Sequence, residues 1–552
     1  YKKQIIALPN IPLNIKALTF EKIDEMKSNN NEYHKQLLYI KSIIKYPWIS
    51  KEDNLFFDNL KNNKKERIKY LNNIDKNLNN LTYGHNQAKK LLLQIIGKWV
   101  SNPSSNGHVL SLCGPPGVGK TLLAKSIGKA LNIPFSEITL GGQNDGEILH
   151  GHGYTYSGAQ PGMIIKKMIE NGKNRSILYF DELDKACSKR GSGTNEIMSI
   201  LIHLTDPNMN TSFQDRFFQG VDFPLNKVII IFSYNDSSLI DPILLDRINE
   251  IKINSYSIKD KISIFNNFLF KNSLNELNFD RKICIKNNMI EYLINKYTRE
   301  AGVRNLKRKI DDILLHLNLD KLYNRNSFNT TKNILINKKL IELILDKPKI
   351  IIEKIHNQPE IGIINGLYAT MIGTGGIVPI QIFKSYNENN TNLTFTGNQG
   401  DIMKESIMCS YTCAVNYINK NKDKYNIKSV EDYLKEKFPN GFHIHTPNGS
   451  TPKDGPSAGC AFTIAFISRI LNLKIDNKIG MTGEIDLNCN ITKIGGLEYK
   501  LIGAIKAGIT KIFICKENEE NYKQIKKKNY KQIKNLNVII VKNINDIVND
   551  IF

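Results

Sequence analysis

The sequence predicts a multidomain α/β protein: a helical N-terminal segment, an α/β unit followed by a small helical domain, and a second α/β unit at the C-terminal end. Three observations carry this. Between residues 76 and 256, short apolar runs such as "HVLSLCG", "SILYFDE" and "KVIIIFSYN" alternate with helical segments, as buried strands of a parallel sheet do. From 257 to 346 that signature gives way to amphipathic helical spacing, ending near Pro348. From 347 to 552 Gly-rich strands ("IGIINGLYATMIGTGG") return, followed by helices and the runs "KIFIC" and "NVIIV".

Residues 1–75 are rich in Asn and Lys with helical apolar spacing and carry no chemical motif. They read as a helical lead-in. A chain of 552 residues is long enough for about three or four domains. It has no uninterrupted apolar run of the ~20 residues that a membrane span needs, so no membrane insertion is expected. Tyr1 in place of an initiator Met marks a fragment or processed form, which leaves any targeting segment out of view.

The formal net charge of +23 raises nucleic acid as a partner. Lys, Asn and Ile are abundant throughout, however, and the densest stretch, the NYKQIK tandem at 521–536, reads as a solvated helix face. The eight cysteines form no C-x-x-C pairs, so neither a disulfide framework nor zinc is implied, and a reducing compartment fits. Cys409 and Cys413 share a helix face and read as small buried thiols.

Two stretches carry chemistry. "GPPGVGKT", Gly114, Pro115, Pro116, Gly117, Val118, Gly119, Lys120 and Thr121, satisfies the P-loop pattern between a strand-like run and a helix. Its amides can surround phosphates, Lys120 can reach the β- and γ-phosphates of ATP, and Thr121 can bind Mg²⁺. Asp181 and Glu182 in "ILYFDELD" follow at the end of a buried strand; Asp181 would hold Mg²⁺ and Glu182 would polarise the attacking water. Asn235 could orient that water. Arg247 and Arg304 could supply positive charge to the γ-phosphate.

"TPKDGPSAGC" places Ser457 in a G-x-S-x-G sequence, the turn that exposes a nucleophilic serine in α/β-hydrolases. That fold orders its triad Ser, Asp or Glu, His, yet the sequence from Ala458 to Phe552 contains no histidine. The base is therefore upstream or of another type: His443 or His445 in "GFHIHTPNGS", or a lysine from the basic C-terminal part. The two histidines alternate along an extended stretch and are expected on opposite faces.

With the P-loop, "FDELD", "TREAGVRNL" and "TPKDGPSAGC" in this order, the chain resembles the Lon family of ATP-dependent serine proteases, AAA+ ATPases fused to a Ser-Lys protease domain, from about residue 30 to its C-terminus. "MTGEIDL" and "ITKIGGLEYKLIGAIKAGI" are further specific pieces. The resemblance implies that Lys500 is the base for Ser457. A neutral amine requires its pKa to fall from ~10.4 to ~7–8, about 4 kcal/mol at 1.36 per unit, which burial can supply. Thr482 and Glu484 match positions that support the lysine by hydrogen bonding; Asp454 holds the turn or lies beside the dyad.

The resemblance further implies a homohexamer that degrades unfolded or damaged proteins, with Arg247 as a finger reaching a neighbour's nucleotide, Arg304 as a sensor, and Tyr156 in "GHGYTYSGAQPG" as the pore residue that grips substrate. Cytoplasm and mitochondrial matrix both fit, and DNA binding accompanies proteolysis in some relatives. Three departures stand out. Gly153 and Tyr154 replace two basic residues, implying a less positive and more aromatic pore. Gln381 stands where a glutamate is usual, which touches the electrostatic support of the site. The large N-terminal recognition domain is mostly missing. Two other readings weigh less: an AAA+ remodeller with an inactive protease-like domain, and a Ser-Lys peptidase with a regulatory nucleotide site.

Overall fold

The computed structural model describes residues 1–552 except 29–31, 50–51, 144, 157, 188–195, 280–282, 299, 324–332, 348–353, 371–372, 387–392, 450–451, 528–532 and 534–535. The chain divides into two compact units, Tyr1–Ser255 and Tyr256–Phe552.

The first unit opens on helices, as its apolar spacing requires. Lys64–Leu81 runs unbroken across position 75, started by Asn63, whose side chain accepts from the Lys65 and Glu66 amides. Beyond the next helix, Asn86–Ser101, lies a parallel sheet. Its strands are β1 (Val109–Cys113), β2 (Phe135–Thr139), β3 (Ile177–Asp181), β4 (Ile229–Tyr234) and β5 (Asn249–Lys252). They stand in the order β2-β3-β4-β1-β5, every pair parallel. All six residues of β4 are buried, which is why it reads as an apolar run rather than as an alternation. Helix α1 (Lys120–Leu131) follows β1 through the P-loop.

The second unit begins with α2 (Ile258–Ile264), fixed by a reciprocal capping box between Ser257 and Asp260. Next come α3 (Asn287–Tyr297) and α4 (Arg304–Leu322). This region is not helical throughout: Ile283–Ile285 pairs in parallel with Ile334–Ile336, a strand pair too short for a periodicity signal. The boundary expected at Pro348 lies outside the described residues.

Beyond it a mixed sheet forms from β6 (Ile363–Ala369), β7 (Gly375–Lys384), β8 (Leu393–Thr396), β9 (Phe442–His445), β10 (Ile479–Thr482), β11 (Lys511–Cys515) and β12 (Asn537–Val541). The order is β8-β9-β7-β6-β10-β11-β12. Helices α5 (Asp401–Lys420), α6 (Gly459–Leu471) and α7 (Leu497–Ala507) pack on it. Eleven of the thirteen α6 residues are buried, so the turn that precedes α6 is anchored by a helix through the core. The first NYKQIK copy lies in the helix Glu519–Lys527, where Ile525 is the buried residue; most of the second copy is outside the described residues.

Candidate active sites

In the first unit the P-loop turns on Gly117 and Gly119, at φ of 79° and 87°, values only glycine adopts without strain. Gly119 precedes α1 without a side-chain cap, so the first-turn N–H groups of that helix face the loop, where a phosphate would sit. The Lys120 ammonium donates to the carbonyls of Gly114 and Pro115 and, at 2.9 Å, to Asn235 Oδ1. Burial lowers its pKa, opposed by Asp181 and Asp184.

Thr121 Oγ1 lies 3.3 Å from Asp181 Oδ2 and 3.0 Å from the Tyr179 hydroxyl. Ser233 donates to the other Asp181 oxygen. Two hard oxygen donors side by side at the mouth of the P-loop fit a Mg²⁺ ion. Glu182, next along, is held at φ 60°, strained for a non-glycine residue, and its carboxylate accepts from Lys185. Room for it is made by Gly141, whose absent Cβ would stand 1.9 Å from Glu182 Oε2. Arg247 Nη1 donates to the Ile202 carbonyl at 2.8 Å and pairs with Asp206 at 3.2 Å. Arg304 opens α4 in the second unit.

Asp215 holds the C-terminal end of the segment 151–162 and packs against its start. Its Oδ2 accepts from the Gly162 amide at 2.7 Å and its Oδ1 from Phe217 at 2.9 Å, while a Cβ on Gly151 would meet it at 2.4 Å. Burial pushes this carboxyl up to about 7. Tyr156 projects from the segment, 64% exposed. Tyr154 does not: it is buried against Tyr39 and Phe217, with the ammoniums of Lys35 and Lys22 at 4.4 and 4.9 Å from its ring centre. The expected aromatic enrichment from Tyr154 is therefore corrected; its ring belongs to the core. Asp215 escaped the sequence reading because "FQDRFF" carries no motif and the Gly162 amide that it holds lies 53 positions upstream.

In the second unit Ser457 sits in the turn before α6. A loop leads into this turn, with an isolated bridge between Lys453 and Gln399, rather than the strand of a hydrolase elbow. Gly455, at φ 116°, makes the bend. The turn is laced to the end of β10: the Ser457 carbonyl accepts from the Gly483 amide at 2.9 Å and the Thr482 hydroxyl at 3.1 Å, and the Cys460 amide donates back to Gly483. Asp454 accepts from the Met403 and Gly455 amides at 3.0 and 2.9 Å, capping α5 and holding the turn. Lys453, unassigned from sequence, donates to the carbonyls of Gly397 and Asn448 at 3.0 and 2.8 Å.

Lys500, on α7, brings its Nζ 2.8 Å from Ser457 Oγ and 2.9 Å from Thr482 Oγ1. It is 3% exposed, and burial lowers its pKa to about 8. Ser457 opens into a cavity of about 530 Å³. Two expectations are corrected here. Glu484 makes no hydrogen bond to Lys500 among the described residues; it lies on a two-residue strand paired with Thr492. His443 and His445 share one face, because strand residues two apart point the same way, and both bond the Thr396 hydroxyl, at 2.9 and 2.7 Å. Gln381 lies in β7 opposite Ile363 and His445. Cys409 and Cys413 do share a face of α5, their thiols on the carbonyls of Ile485 and Asp486.

Residues 335–552 match the model of the Lon protease (S16) C-terminal proteolytic domain. The chain belongs to the Lon protease family. Residues 110–256 match the ATPase family associated with various cellular activities, and 275–321 the Lon protease AAA+ ATPase lid domain; the ATPase domain implies nucleotide binding. The chain is 46% identical over 587 residues to a Lon protease homolog of Acanthamoeba polyphaga mimivirus, covering 96% of this chain and 56% of that protein. It is 33% identical over 510 residues to the Lon protease of Finegoldia magna, covering 92% and 61%. The chain thus spans little more than half the length of these curated relatives. No helix among the described residues is long and apolar enough to cross a membrane.

Proposed function

We propose that this chain is the ATPase and protease part of an ATP-dependent serine endopeptidase, in which Ser457 is the nucleophile and Lys500 its general base. The observation that carries it is the 2.8 Å contact between Ser457 Oγ and a buried lysine whose pKa burial lowers to about 8. In its neutral form the Lys500 amine takes the Ser457 proton as Oγ attacks a peptide carbonyl, then returns it to the leaving amine. Thr482 aims the amine and, through the Ser457 carbonyl, fixes the turn.

In the nucleotide unit Lys120 would exchange its carbonyl partners for ATP phosphates, and Thr121 and Asp181 would hold Mg²⁺, which offsets phosphate charge. Glu182 would polarise water and Asn235 orient it. Arg247 would act on a neighbouring subunit's nucleotide, which makes the working form a ring, with Arg304 as sensor. A homohexamer drawing unfolded proteins past Tyr156 is the assembly that fits these roles. The test is the pH dependence of kcat/KM on a short fluorogenic peptide: it rises through about 8 as Lys500 loses its proton, and Ser457→Ala abolishes it. A rise centred near 6.5, the range of histidine, would refute the lysine base.

A further inference from the structure

The cavity that Ser457 opens into continues along one face of α7, where Glu498, Ile502 and Lys506 line it at i, i+4 and i+8, and ends against α2 and α3 at Lys261 and Asn295. Lys261 is 6% exposed and Lys506 is desolvated by burial. Their partners are neutral oxygens: Lys261 Nζ donates to the Glu300 carbonyl, and Lys506 Nζ to Asn295 Oδ1 at 2.8 Å. Among the described residues neither forms an ion pair. Glu300 attracts Lys261 without an ion pair; its two carboxylate oxygens accept from the Asn305 and Leu306 amides, each at 2.8 Å. Glu291 acts on Lys506 from beyond ion-pair distance. The two ammoniums are close enough to repel, and Lys506 helps push Lys261 down to about 8.

Buried charge is ordinarily paired, and two like charges in one cavity wall whose direct hydrogen-bond partners are neutral oxygens suit a carboxylate ligand. We propose that Lys261 and Lys506 form an acidic-residue subsite of the peptide cleft, receiving a substrate Asp or Glu carboxylate while Ser457 attacks the backbone. This rests on the reading of Ser457 as the nucleophile. The register follows from helix geometry. Six residues of α7 separate Lys500 from Lys506, a rise of about 9 Å, which an extended peptide covers in about three residues. The acidic residue therefore sits two to four positions from the scissile bond.

The test uses the full-length protein and a set of fluorogenic peptides that differ only in Glu or Gln at each of those positions, on either side of the scissile bond. At one position kcat/KM should favour Glu by about tenfold, the scale of one charge-assisted hydrogen bond. Lys506→Met and Lys261→Met should bring that ratio near one; Lys506→Arg should keep the ratio, and Lys506→Glu should favour a Lys peptide instead. A binding arm separates this subsite from the proteolytic reading: a labelled Glu peptide should bind the Ser457→Ala protein about tenfold tighter than its Gln counterpart. Ratios near one at every position, or a ratio indifferent to both Met variants, would overturn the subsite. Cleavage that survives Ser457→Ala would overturn the reading of the nucleophile, while the binding ratio still decides the subsite.

Discussion

Replacing Lys500 with Met should stabilise the protein near neutral pH while abolishing peptide cleavage. A fall in pKa from 10.5 to about 8 means that the folded state binds fewer protons than the unfolded state between those values. Below pH 8 this costs about 3.4 kcal/mol, 2.5 units at 1.36 each, and the cost is relieved as pH rises through 8 to 10.5. Lys500→Met removes the cost along with two hydrogen bonds, to Ser457 and Thr482, worth ~1 kcal/mol apiece. The variant should be more stable than wild type by ~1 kcal/mol at pH 7. At pH 9.5, with the wild-type cost down to ~1.4 kcal/mol, it should be slightly less stable. Both tryptophans, Trp48 and Trp99, lie in the first unit, so their fluorescence does not follow Lys500. Urea unfolding read by pulsed hydrogen exchange in α7 and β10 does. A variant less stable at both pH values by the same amount would refute the buried neutral amine.

Other perturbations follow from single contacts. Glu182→Gln should lower ATP hydrolysis at least about 100-fold, the low end for a positioned base, with nucleotide affinity retained in a binding titration. Gly141→Ala should also slow hydrolysis, since its Cβ falls on the Glu182 carboxylate; an unchanged rate would mean that this carboxylate position is not the working one. Asp215→Ala strips acceptors from two amides and should cost about 2–4 kcal/mol, so casein degradation should fall while hydrolysis of short peptides persists. Gly455→Ala forces an alanine to φ 116°, strain on the order of 1–3 kcal/mol, and should lower kcat/KM on peptides tenfold or more with the ATPase rate unchanged.

The legible parts of the fold were those whose physics is local. The strands β1, β3, β4 and β11 bury most of their residues, so each stands out as an apolar run, and the P-loop glycines are needed where they stand. The Ser457 and Lys500 pair, 43 residues apart, was readable through family resemblance and not through spacing. What stayed hidden depends on distant partners. Tyr154 is buried because Tyr39 and Phe217 meet it from either side in sequence, and Lys261 approaches Lys506 from 245 positions away. Neither leaves a local trace. The misplacement of His443 and His445 on opposite faces has a different cause, since the period of a strand already puts residues two apart together, and Thr396 confirms it.

The central claim is that ATP hydrolysis in the first unit drives cleavage by Ser457 and Lys500 in the second. The most direct measurement is casein degradation with and without ATP by the wild type, Ser457→Ala, Lys500→Ala and Glu182→Gln in parallel. The account predicts ATP-dependent cleavage by the wild type alone, with ATPase activity kept in the Ser457 and Lys500 variants. ATP hydrolysis without cleavage by the assembled wild type, or cleavage that survives Lys500→Ala, would contradict it.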